Sequence, residues 1–303
     1  MSAVEIQGVT KTFGSTVAVN ELSLVVPRGS VYGFIGPNGS GKSTTIRMIM
    51  RIYHPDKGQI SVLDEDATAG DAANDRIGYL PEERGLYRKM YIGELLEFCA
   101  NLKGARNVKP EISRWLDRLG LGGYVKKRFE TLSKGMGQKV QFIASILHRP
   151  ELVILDEPFS GLDPVNMEVL RDAILEVKQQ GATILFSTHD MDVAEKMCDF
   201  IFMIHKGRKV LDGTLDSIQN DYGSDTLRIR TAGNGIAYDQ LPGVERVNDF
   251  GRFQELRMTR GTDSQAILRE IMGKSKVEHF EVARPSLRDI FVRIAAPQEQ
   301  IHA

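Results

Sequence analysis

Apolar residues in this chain come in short runs, and four of those runs, at 22–26, 31–35, 152–155 and 183–186, are rich in β-branched residues and bounded by Gly, Pro or Asp. Runs of that length and composition predict strands buried on both faces, and the helix-compatible segments between them predict an α/β domain. Between 91 and 150 the pattern changes to nearly continuous helix. Val140, Ile143, Ala144 and Leu147 fall at i, i+3, i+4 and i+7 and share one face, so a helical subdomain is expected at about 85–150. Past Gly213 the chain offers strand candidates at 227–229, 253–258 and 277–282 around a helix candidate at 264–272, with a Gly-rich bend at 231–235. That is the pattern of a small second α/β unit. The expected division is 1–219 and 220–303.

Composition narrows the class without changing the picture. The 303 residues are 42% hydrophobic and 26% charged, ordinary for a globular protein, and the net charge of −1 provides no global basic field, so no nucleic-acid partner is expected. Cys99 and Cys198 match no metal-ligand spacing and read as reduced thiols. The first residues, MSAVEIQGVTKTFG, lack the apolar stretch of a secretory signal. The longest apolar runs fall far short of the roughly 20 residues of a membrane helix. Any membrane-spanning part is expected to belong to another chain.

The chemistry is concentrated in a glycine-rich loop. Gly36-Pro37-Asn38-Gly39-Ser40-Gly41-Lys42-Ser43 fits G-x-x-x-x-G-K-[ST], follows the apolar run 31–35 directly, and leads into a helix-compatible run that opens at Thr44. Such a loop turns successive N–H groups toward phosphate oxygens, and the helix behind it adds partial positive charge. Lys42 would reach the β- and γ-phosphates and Ser43 would ligate Mg²⁺. The run 152–155 ends in Asp156 and Glu157, a carboxylate to hold the metal and one to polarise an attacking water.

With these two motifs in place, the remaining ones resemble the ATP-binding cassette ATPases, in order and over roughly residues 3–215. Leu132-Ser133-Lys134-Gly135-Met136 stands in the place of that family's signature. Ser160-Gly161-Leu162-Asp163-Pro164 stands in the place of its dimer loop, His189 in that of its switch histidine, and Phe13 in that of the aromatic ring that stacks adenine. Each has a plainer alternative when taken alone: a core ring for Phe13, a helix cap for Ser133, the neighbour of a cap for His189.

The resemblance implies a P-loop cassette that binds ATP and Mg²⁺ through residues 36–44, with Asp156 and Glu82 joining Ser43 on the metal. It also implies a head-to-tail dimer with a second copy or a homologous ATPase, in which Ser133, Gly135 and Asp163 meet the other subunit's nucleotide. It implies integral membrane subunits as partners and a peripheral place on the inner face of the cell membrane.

Two departures stand out. Lys134 and Met136 replace a glycine and a glutamine of the signature, and Glu82, in Tyr79-Leu80-Pro81-Glu82-Glu83, replaces a glutamine. The segment 283–294 resembles the accessory domain of bacterial exporters, which favours export. A cassette ATPase acting on ribosomes, DNA or metal-cluster assembly is the alternative, and a metabolic kinase would leave the signature and His189 unexplained.

Overall fold

The computed structural model describes residues 1–66, 75–82, 85–222, 226–232, 236–259 and 261–295. The chain divides into two compact units, Met1–Thr214 and Leu215–Ala303.

In the first unit, β1 (Ser2–Phe13) and β2 (Thr16–Pro27) form a long antiparallel hairpin. Then come β3 (Val31–Ile35), α1 (Lys42–Ile49), β4 (Lys57–Val62), β5 (Glu65–Asp66) and β6 (Ile77–Leu80). Three helices follow, α2 (Ile92–Leu102), α3 (Lys109–Arg118) and α4 (Lys134–Ile146). The unit closes with β7 (Leu152–Asp156), α5 (Pro164–Gln179), β8 (Thr183–Thr188), α6 (Met191–Met197), β9 (Phe200–His205) and β10 (Arg208–Gly213).

The strands form two sheets. One is antiparallel, in the order β2-β1-β4-β5. The other runs β10-β9-β3-β8-β7-β6 and is parallel except for β10 at its edge. Every residue of β3, β7 and β8 is buried, which is why these segments read as unbroken apolar runs rather than alternating ones. Helix α1 starts at Lys42, two residues ahead of the Thr44 suggested by the sequence, because Gly41 already serves as its N-cap.

The second unit holds α7 (Leu215–Asp221), β11 (Thr226–Thr231), β12 (Val244–Asp249), β13 (Gln254–Met258), α8 (Ser264–Lys274), β14 (Val277–Ala283) and α9 (Leu287–Ala295). Its antiparallel sheet has the order β12-β13-β11-β14. Leu227, Ile229, Leu256 and Met258 pack there with Ile267 and Ile271 of α8. The boundary expected near 220 falls inside α7.

Both cysteines are free thiols, and burial raises the pKa of each.

The helical region docks on the edge of the large sheet at a glycine. Gly78 in β6 sits under α4, where a Cβ would lie 2.0 Å from the Ser145 carbonyl oxygen, and His148, just past the helix, is 3.2 Å from Ile77 O. A methyl group at Gly78 must push α4 off the sheet. Gly78→Ala should therefore cost about 1–3 kcal/mol, the range for an overpacked core, and lower the thermal midpoint of the full chain. Gly123→Ala, where a Cβ meets nothing within 4 Å, should leave it unchanged. Calorimetry of the two variants side by side makes the comparison.

Candidate functional site

Strand β3 ends at Ile35 and the chain must turn at once into α1. Gly36 permits this for a steric reason, since a Cβ there would lie 2.3 Å from Ile204 O on the neighbouring β9. Gly41 has φ +111°, and its Cβ would lie 2.6 Å from Ala18 O. Neither place has room for a side chain. The loop closes through Ser40 N–H, which donates to Pro37 O at 3.2 Å, and through Gly207 N–H, which donates to Ser40 O at 2.9 Å.

Lys42 opens α1 and is only 5% exposed. Its ammonium donates to Gly36 O at 2.6 Å and Pro37 O at 3.2 Å, and it stands 3.9 Å from Glu157 Oε1. Burial lowers its pKa from the usual lysine value, while the carboxylates of Glu157, Asp156 and Glu82 act against that shift. The site is thus a buried cation among anions.

The carboxylates come from β7. Asp156 ends the strand, is buried, and accepts a hydrogen bond from Ser187 Oγ on the adjacent β8. Glu157 follows with φ +50°, a left-handed conformation that is costly for a residue with a side chain and persists only where its surroundings impose it. Here they do. Its N–H donates to Ser187 O at 3.1 Å, its carbonyl oxygen accepts from Ser160 N–H at 3.1 Å, and its Oε1 is 2.9 Å from His189 Nδ1. Thr188 Oγ1 donates to Oε2 at 3.4 Å.

These parts surround a cleft of about 310 Å³, lined by Asn38, Gly39, Gly41, Lys42, Ser43 and Thr44, with Ala18, Glu82 and Glu157 around them. The loop, Glu82 and Glu157 are therefore brought together, and Asp156 and His189 join them through Ser187 and Glu157. Tyr79 stands close by, its hydroxyl pKa pushed up to about 12 by burial and by the Asp156 and Glu82 carboxylates, with Arg47 opposing. Glu83 lies outside the described residues.

Gly36, Pro37, Ser40, Asp156 and His189 adjoin this cleft without lining it, and Phe13, Ser133, Gly135 and Asp163 lie apart from it. Phe13 ends β1, is 45% exposed, and meets Tyr53 edge-on at 5.4 Å. Ser133 caps α4, its Oγ accepting from Met136 N–H at 3.3 Å. A Cβ on Gly135 would lie 2.9 Å from Leu162 Cδ2. Asp163 caps α5, and the hydrogen bond it accepts from Asn166 N–H, at 2.9 Å, helps hold its carboxyl below the usual range.

Ser187 and Thr188, which grip the two carboxylates, receive no role from the sequence. A signal was present all the same: two adjacent hydroxyls follow the apolar run 184–186 at the end of a buried strand, and buried hydroxyls need partners.

Residues 19–160 match the family described as "ABC transporter", and residues 213–295 match "ATP-binding protein DrrA1-3-like, C-terminal domain". The chain is 40% identical over 289 residues, 95% of its length and 96% of the relative's, to the uncharacterized ABC transporter ATP-binding protein YhaQ of Bacillus subtilis. It is 30% identical over 302 residues, 96% of each chain, to the Nod factor export ATP-binding protein I of Bradyrhizobium diazoefficiens. A solved ATP-binding subunit of an ABC transporter is similar with a TM-score of 0.69 and 32% identity, covering 73% of this chain and 93% of that one.

Lys42 exchanges two carbonyl partners for phosphate oxygens if the cleft holds a triphosphate. Lys42→Ala should then weaken ATP binding about 10- to 100-fold, the worth of a charge-assisted hydrogen bond. Calorimetric titration of the variant reads this directly, and an unchanged affinity would mean that the loop does not grip phosphate.

Proposed function

The chain belongs to the ATP-binding proteins of ABC transporters, and from that membership we propose that it is the motor of an exporter, hydrolysing ATP to drive separate integral membrane subunits. The family hydrolyses ATP to power transport. Among the described residues no helix is long and apolar enough to cross a membrane. Export is supported by the relatives named for it, the Nod factor export ATP-binding proteins.

The observation that carries the reading is the convergence of Lys42 and Glu157 on one cleft, with His189 held against Glu157, while Ser133, Gly135 and Asp163 stay outside it. In this reading the cleft binds the triphosphate and Lys42 clamps its β- and γ-phosphates. Residues 36–44 cradle the phosphates with backbone N–H groups, and Phe13 offers its exposed ring to the adenine.

Glu157 accepts the proton of the attacking water, and His189 holds that carboxylate in place through its ring nitrogen. Ser187 fixes one oxygen of Asp156 and leaves the other for a cation. With Ser43 and Glu82 this makes an all-oxygen donor set that fits Mg²⁺, which usually takes few protein ligands beside substrate phosphates. The cation, when bound, would neutralise charge on the phosphates.

Ser133, Gly135 and Asp163 then serve a second copy or a homologous ATPase, meeting the nucleotide held in the other subunit's cleft. ATP closes the pair and hydrolysis opens it, on the inner face of the cell membrane.

Glu157→Gln keeps the shape and removes the base. It should bind ATP as before, lose about 10² to 10⁴ in turnover, and accumulate an ATP-dependent dimer seen as doubled mass by light scattering. Near-normal hydrolysis would remove Glu157 from the mechanism. Glu82→Gln should raise the Mg²⁺ concentration needed for half-maximal rate and leave dimer formation intact, because an amide is the weaker ligand for a hard cation; a Mg²⁺ titration of the ATPase rate decides. Affinity purification from native membranes tests the partner: an integral membrane protein is expected to come along, and ribosomal or DNA-bound partners instead would favour the alternative.

A further inference from the structure

The loop after Glu157 meets the start of α4 at two points. Gly135 lies so close to Leu162 that a Cβ would come within 2.9 Å of it. The second point is Lys134, whose stem crosses Gly161: a Cβ there would lie 2.7–2.9 Å from the lysine's Cδ, Cε and Nζ. Gly161 has φ +74° and leaves the space for that stem. Farther along α4, Lys139 donates to Asn166 in the first turn of α5 and to Leu119 O at 2.9 Å. The ammonium of Lys134 donates to the hydroxyl of Ser160 at 3.4 Å, and Ser160 N–H donates in turn to the carbonyl oxygen of Glu157 at 3.1 Å. Lys134 therefore touches the segment that fixes the left-handed backbone of Glu157, and it does so from between Ser133 and Gly135.

We propose that Lys134 is a positioning residue that couples the surface offered to a second copy to the carboxylate of the chain's own cleft. This rests on the reading that Ser133 and Gly135 meet a nucleotide held by that copy. When they do, the first turn of α4 and the Ser160–Gly161 backbone move as one body, so occupancy of the far site is felt at Glu157. Coupling of this kind is reciprocal in binding and typically worth about 5-fold or more.

The test uses the full-length chain. Lys134→Met and Ser160→Ala should each lower kcat about 5-fold while the ATP affinity of a single copy, read by titration, stays the same. The double variant should be no slower than the slower single one, since both break the same link. Lys134→Arg should restore the rate to within about twofold, which separates loss of the link from loss of the fold. An unchanged kcat in Lys134→Met, or single effects that multiply in the double variant, overturns the inference. If Glu157→Gln forms no dimer with ATP, the dimer reading fails and takes this inference with it; a dimer together with an unchanged kcat in Lys134→Met overturns the inference alone.

Discussion

A buried ammonium is tolerated only where oxygen atoms and negative charge answer it, and Lys42 sets that condition for the whole first unit. Gly36 O and Pro37 O supply the oxygens, and Glu157 with Asp156 supplies the charge. Each partner then makes its own demand on the backbone. The carbonyls require a loop curled tightly enough to exclude a Cβ at Gly36. The carboxylates require a strand that ends level with that loop, and the sheet order β9-β3-β8-β7 meets this by placing β8 between the strand that carries the loop and the strand that carries the acids. The end of β8 is knitted to both: Gly36 N–H donates to Thr188 O at 3.2 Å and Glu157 N–H to Ser187 O at 3.1 Å.

What could be read from the sequence follows from where each interaction is made. The glycine-rich loop was legible because its geometry is local: a strand, three glycines and a helix start lie within a dozen residues. Asp156 and Glu157 were legible because a doubly buried strand has to be apolar until it ends. The partners of those acids were not, since Ser187 reaches Asp156 only across a strand pairing that no local pattern encodes. Strand β12, Val-Glu-Arg-Val-Asn-Asp, was missed for another reason: none of its residues is fully buried, so nothing forces the apolar signature of a strand upon it. Of the β1–β2 hairpin only the run 22–26 was legible, and there the structure corrects the expectation of burial on both faces: Leu22, Leu24 and Val26 are buried while Ser23 and Val25 are exposed, the alternation of an antiparallel sheet with one open face.

The first unit thus presents two kinds of surface. The cleft is rigid in construction, with close approaches at glycines and carboxylates held on two sides. Ser133 and Asp163 are both exposed, and the segments that carry them touch through Gly135 and Leu162 and through Lys134 and Ser160.

Helix α4 carries the second of these regions, and its length has a mechanical consequence. Its thirteen residues make a rod of about 20 Å, so a tilt of about 5° about its rear end displaces its front by about 1.7 Å. Misplacement of about 1 Å can cost on the order of a hundredfold in rate. The rear end rests on Gly78 and the front carries Ser133. The helix is in effect a lever whose bearing is a single hydrogen atom, and the tolerance of that bearing sets how accurately the far end is aimed.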